Sequence, residues 1–211
     1  MTSPPRRIPI IPTIIVTLAV AAMIALGLWQ LRDRLPKKEA FLAQLAANPA
    51  RPPMTFPRVP DETLLFRRAS ALCLQPTDIR LAGAGKSGFR AIATCRTGAE
   101  GPGTIVQLGT TRDPNAKVTW AGGAVSGYIG HAPDGRSLIG SLFDRTPPRL
   151  MLVLDTPPAG LSPNARPDIA TVPNNHLAYA GQWFFFAAIA AIIYVLAIAK
   201  RRNLVSKASS R

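Results

Sequence analysis

The chain has 211 residues, 47% hydrophobic and 17% charged, with a formal net charge of +14 and a mean hydropathy of +0.16. So much apolar content beside so little charge excludes a disordered polyelectrolyte. A uniform soluble globule is disfavoured too, because the apolar residues stand in blocks instead of periodic stripes.

The first block follows Arg6 and Arg7 and runs from Ile8 to Leu28, 21 residues without a charge. A hydrocarbon core of about 30 Å needs about 20 helical residues, so we expect a transmembrane helix over 8–31 behind a basic tail, 1–7. Pro9 and Pro12 sit near its start, where a helix tolerates proline best. A signal peptide is the competing reading, with Ala19-Val20-Ala21 resembling a cleavage site, but the apolar run exceeds the usual h-region of about 7–15 residues. Residues 32–62 then read as a short helix, Lys37 to Ala47, and an extended connector holding Pro49, Pro52, Pro53, Pro57 and Pro60.

Residues 63–156 carry short strand-like runs separated by Gly, Pro and Asp turns. They are Leu64–Leu74, Gly88–Thr97, Thr104–Leu108, Val118–Trp120, Ala124–Ile129, Ser137–Leu142 and Leu150–Leu154. The expected fold is a mainly antiparallel β domain, sandwich- or barrel-like, outside the membrane and flanked by two transmembrane α-helices. A second Pro-rich connector covers 157–176. The second transmembrane helix is expected over 177–199, a run of 23 residues without a charge, followed by a basic tail, 200–211.

The tails hold seven basic residues and no acidic ones, which favours the cytoplasmic side for both ends and the opposite side for the middle. Arg32, Arg34, Lys37 and Lys38 just after the first span argue locally for the reverse, but long translocated domains escape that rule. Basic tails suit anionic lipid at roughly 1 kcal/mol per residue. Nucleic acid is not an expected partner, because the basic tails flank membrane spans. A bacterial inner membrane with a periplasmic middle is the expected location, since no Arg- and Ser-rich transit segment precedes the first span.

Cys73 and Cys95 each fall in a predicted strand, on faces shared with small residues. Neighbouring strands would bring them within disulfide reach, and an oxidising compartment would favour the bond. Two free buried thiols are the alternative; a metal or redox site lacks a C-x-x-C or a nearby His. Of the two histidines, His131 lies in a turn-like Gly130-His131-Ala132-Pro133-Asp134-Gly135 and reads as a solvated loop residue. His176 stands at the mouth of the second span, with Tyr179 and Trp183 on the same helix face. It reads either as part of an Asn-capped, aromatic interfacial belt or as an axial haem ligand.

No recognisable metal cluster, carboxylate pair or nucleophile–base motif points to an enzyme. The run Gly83-Ala84-Gly85-Lys86-Ser87-Gly88 imitates phosphate-loop patterns, yet a strand-like segment follows it instead of a helix and Arg80 holds the first P-loop glycine position. It reads as a turn. With scattered Met54 and Met151 and well-separated cysteines, a copper-handling or thiol-redox role lacks its soft-ligand cluster.

The segment Pro173-Asn174-Asn175-His176-Leu177-Ala178-Tyr179-Ala180-Gly181-Gln182-Trp183-Phe184, then an apolar span with Tyr194 and Lys200-Arg201-Arg202, resembles the second transmembrane signature of the surfeit-locus-one (Surf-one) family. Gly27-Leu28-Trp29-Gln30-Leu31-Arg32 is similar to its first-span Gly-x-Trp-Gln-x-x-Arg pattern, with Asp33 at the Arg position. The family's Arg-Gly-Trp-Val-Pro-like core motif is represented only by Val106-Gln107-Leu108-Gly109-Thr110. The resemblance implies an assembly factor for haem-copper cytochrome c oxidase that handles haem a. Its partners would be oxidase subunits and the haem a synthesis machinery. His176 is the implied haem ligand, and Trp29, Gln30, Tyr179 and Trp183 would shape the pocket. Arg32 and Arg34 could pair the propionates by position. A ligand-free membrane scaffold that docks oxidase subunits is the alternative.

Overall fold

The computed structural model describes residues 9–98, 103–133, 144 and 146–209, with side chains to Asn203. The expected strand Ser137–Leu142 and the basic tail 1–7 lie outside these residues. The described chain divides into two compact units, one made of both ends and one of residues 41–172.

The end unit is built on two helices. α1, Ile10–Trp29, starts at Pro9, whose carbonyl accepts from both the amide (3.1 Å) and the hydroxyl (2.7 Å) of Thr13. Its ladder passes without a break into a π-turn, Gln30–Arg34, and then α2, Leu35–Ala47. Pro36 explains the widened turn. It has no amide for the carbonyl one turn back, and its ring crowds that carbonyl, so the Leu35 amide reaches back five residues to the Gln30 carbonyl. α3 runs His176–Ser209, its first turn closed by the Tyr179 amide on the Asn175 carbonyl at 3.0 Å. The helices containing α1 and α3 are long and apolar enough to cross a membrane, and only 6% of each apolar window is buried. A core helix of a soluble protein would be mostly covered, so the exposure is compatible with a lipid-facing pair.

α1 and α3 pack along one seam. On α1 the covered positions include Thr13, Val16, Val20, Met23 and Gly27, continued by Gln30 at the start of the π-turn; on α3 they include His176, Ala180, Trp183, Ala187, Ala190 and Tyr194. Steps of three and four residues on both helices are the spacing of a coiled-coil seam. Its tightest point is Gly27, where a Cβ would stand 2.8 Å from the Phe184 ring. Small residues here let the backbones approach, as in other membrane helix pairs.

The central unit is one seven-stranded sheet, ordered β1-β2-β6-β7-β5-β4-β3. The strands are β1 Met54–Thr55, β2 Arg68–Cys73, β3 Gln75–Gly83, β4 Phe89–Arg96, β5 Thr104–Thr111, β6 Gly123–His131 and β7 Leu150–Leu154. The mainly antiparallel expectation needs correction, because the sheet is mixed. β1 runs parallel to β2 and β5 parallel to β7. The β1–β2 link spans the dozen residues that a parallel crossover needs, including a 3₁₀ turn, Glu62–Leu64. That turn is capped by Asp61, which accepts from the Thr63 amide and hydroxyl at 2.9 and 2.7 Å. The Thr63 hydroxyl, then its amide, hold the Asp61 carboxyl below the usual carboxylate range.

Two further corrections concern strands. Val118–Trp120 is irregular, and β3 occupies a segment that the sequence reading left between strands. β3 is polar because it is an edge. Ile79 and Leu81 pack on the enclosed core and Ala82 on a small second cluster of Ile92, Ile105 and Met151, and Pro76 sits at a register shift that spares the ladder. The Gly83–Gly88 run is a turn, as expected, with a 3₁₀ element, Gly85–Ser87, joining β3 to β4.

The sheet is rolled. β2 and β4 are four places apart in strand order, about 19 Å in a flat sheet at about 4.8 Å per step. Yet the Cα atoms of Cys73 and Cys95 are 5.2 Å apart and their sulfurs are bonded. β2 and β3, separated only by Leu74, form one bent passage that pairs with β6 on one side and β4 on the other. The enclosed core holds Ala69, Ala91, Ala93, Val106, Leu108, Ile129 and Leu152, with Leu45 from the end of α2. Asn48, fully buried beside Leu45, donates to the carbonyls of Thr63 and Leu65 at 2.7 and 2.8 Å.

Candidate functional site

The residues singled out for ligand chemistry gather at one end of the α1–α3 pair. His176 is half-buried at the first residue of α3. Its Nδ1 lies 2.8 Å from Oε1 of Gln30, so the ring donates to the amide oxygen. Among the described residues this is its one hydrogen bond, and Nε2 engages no protein group. An imidazole held through Nδ1 with Nε2 open has the chemistry of a metal-binding histidine.

The neighbouring residues are placed less uniformly. Trp183 is half-buried on the seam, whereas Tyr179 is 48% and Trp29 43% exposed. The Arg34 guanidinium lies over the Trp29 ring, 4.6 Å from its centroid, a cation–π contact. Arg34 also lies at the 4.0 Å edge of pairing with Asp33, which Lys37 engages one turn on. Arg32 is exposed. The structure therefore brings His176 and Gln30 together directly and places Trp29 under Arg34.

Sequence reading missed the matching contact at the other end of the pair. The hydroxyls of Thr13 and Tyr194 share a hydrogen bond. Thr13 and Gln30 are 17 positions apart, about 26 Å of helix, so two polar clasps stand near the rims of a span. The recoverable signal was the run of three- and four-residue steps linking Thr13 to Gln30.

His131 also differs from its reading as a loop residue. It ends β6, opposite Leu150, and its Nε2 meets the Glu62 carboxylate at 2.8 Å. Val106–Thr110 is a central part of β5. Gln107, 7% exposed, donates to the side chain of Asn164 at 2.7 Å, and Asn164 donates to the Leu154 carbonyl at 3.0 Å. This segment anchors the returning connector. The central unit also has a cavity of about 330 Å³ lined by Thr55, Arg58, Leu72, Thr104 and Arg149 among others. Among the described residues there is no group of three or more His, Cys, Asp or Glu arranged to hold a metal ion.

A rolled, disulfide-linked mixed sheet, flanked in the chain by two apolar helices that end in a histidine clasp, defines a two-helix protein compatible with a membrane. The SURF1 family matches residues 17–188, and the chain belongs to that family. The family is associated with membranes and with cytochrome c oxidase assembly. No curated protein and no solved structure matches the chain.

Proposed function

We propose that the protein assists oxidase maturation by holding haem a at the outer end of the α1–α3 pair, where His176 would bind the iron through Nε2. The single observation carrying this reading is the orientation of His176. Its Nδ1 is committed to Gln30 at 2.8 Å while Nε2 has no partner among the described residues, which is the donor arrangement haem iron uses. Bound haem a would supply the redox-active iron that the oxidase requires. The chain's part is to hold it, orient it and keep it out of water.

Tyr179 and Trp183 follow His176 on its face and would cover the macrocycle. Arg32, exposed and near in sequence to Gln30, would meet a propionate, whereas Arg34 is already stacked on Trp29. The partners on this reading are the oxidase's catalytic subunit and the haem a synthesis machinery, and no enzymatic step belongs to it. The proposed location is a bacterial inner membrane, with both termini cytoplasmic and the sheet periplasmic. The Cys73–Cys95 bond supports that placement, since structural disulfides persist in oxidising compartments.

The test is an optical spectrum of the detergent-purified chain from cells that make haem a, beside His176→Ala. A Soret band and a haem a chromogen in the parent, both lost in the variant, are expected. A haem-free parent that still co-purifies with oxidase subunits would refute the ligand role and favour the ligand-free scaffold.

A further inference from the structure

We infer that Gln30 is a positioning residue that fixes the tautomer of His176, holding the proton on Nδ1 so that Nε2 presents its lone pair to iron. The inference rests on the haem-holding reading for its purpose, but its first test is independent of haem.

The local geometry starts from Pro36. By removing one amide from a continuous helix it forces the π-turn that opens at Gln30. The Gln30 carbonyl is taken by the Leu35 amide, and its side chain faces α3. One turn earlier, Gly27 leaves room for the Phe184 ring, where any Cβ would stand 2.8 Å from it. That close approach lets the amide oxygen of Gln30, at the start of the π-turn, reach a ring nitrogen on α3 at 2.8 Å. A neutral imidazole has one N–H, and the acceptor it meets decides which nitrogen carries it. An amide oxygen can only accept, so it selects the Nδ1–H form. Partners of this kind orient a ligating imidazole and raise its basicity, and losing one typically costs 10–100-fold in metal affinity.

The chain has two histidines, so ¹⁵N NMR of the haem-free full-length protein in micelles, with His131→Ala for assignment, reads the His176 tautomer directly. For the neutral ring the expected result is a protonated Nδ1 and a bare Nε2. Gln30→Leu should move the neutral population toward Nε2–H, and Gln30→Glu, which keeps an acceptor, should return the neutral ring's proton to Nδ1, read at a pH high enough that the ring beside the carboxylate is neutral. In haem-loaded protein, Gln30→Leu should weaken haem retention by about 10–100-fold and raise the reduction potential, while Gln30→Glu lowers it.

An Nε2–H tautomer in the parent would overturn the inference. So would an unchanged tautomer in Gln30→Leu, or unchanged retention and potential in that variant. A parent that shows the Nδ1–H form yet takes no haem would support the positioning role of Gln30 and refute only the haem-holding reading.

Discussion

At Gly109 a single missing side chain decides whether the returning connector can lie on the sheet. A Cβ there would stand 2.8 Å from the Leu161 Cβ, 2.8 Å from the Ser162 carbonyl oxygen and 3.0 Å from the Pro157 Cβ. The adjacent Thr110 exchanges backbone hydrogen bonds with Ser162 at 2.8 and 2.9 Å, so the obstacle is backbone held in place and cannot simply swing aside. Gly109→Ala should therefore destabilise the central unit by about 1–3 kcal/mol, the usual cost of overpacking. Thermal unfolding followed by circular dichroism should show a melting point lower by several degrees. An unchanged melting point would mean that the connector lifts off β5 freely, and the Gln107–Asn164 contact would then be incidental. The sequence marks this segment only through its distant likeness to a family core motif. Its packing role depends on Pro157, Leu161 and Ser162, 48 to 53 positions away.

For the helix pair, the element is more than the sum of two apolar stretches. Gly27, Ala180 and Ala187 are the buried positions, and the Thr13–Tyr194 and His176–Gln30 bonds fix register at the two ends. Interhelical hydrogen bonds in membranes average about 0.6 kcal/mol and reach about 1.7 kcal/mol. A double-mutant cycle with Thr13→Val and Tyr194→Phe, read by unfolding in mixed micelles, should give a coupling energy in that range. A coupling of zero would leave Gly27 and the alanines as the sole determinants of register. The helices themselves were legible because an uninterrupted apolar block has few other uses, and the seam is visible once half-buried positions are written at steps of three and four. The sheet was only partly legible. Strands rich in Val, Ile and Leu at regular spacing, such as Leu150–Leu154, declare themselves. β3 does not, because an edge strand shows water its polar side and needs few apolar residues inside, here Ile79, Leu81 and Ala82. Val118–Trp120 shows the converse, since a short apolar run packs on the core without joining a ladder. The parallel pairs β1–β2 and β5–β7 follow from chain crossings, which no local pattern encodes. At the helix mouth, the residue types were legible, whereas the commitment of the His176 Nδ1 to Gln30 depends on how two distant segments meet.

Across the whole molecule, the Cys73–Cys95 bond determines how the sheet holds its rolled form. The two cysteines sit on strands that are not ladder neighbours, both are almost wholly buried, and the Leu74 amide bonds the Arg96 carbonyl at 2.9 Å just beyond them. The bond therefore links the two halves of the roll where the β2–β3 passage bends. Its sequence separation is 22 residues, and closing a loop of that size restricts the unfolded chain by roughly 3 kcal/mol. Replacing both cysteines by serine should lower the stability of the sheet by about 2–5 kcal/mol, read as the loss of β circular dichroism on heating. The reduced parent should melt close to the double variant, because both lack the same constraint. His176 and Gln30 belong to the other compact unit, so haem retention measured below the melting point should be unchanged in the variant. If haem were lost while the sheet stayed folded, the cysteines would be part of the ligand chemistry and not a structural link. If stability were unchanged, the roll would be held by the Ala91, Ala93, Val106 and Leu152 packing alone, and the disulfide would merely record a proximity that the core already imposes.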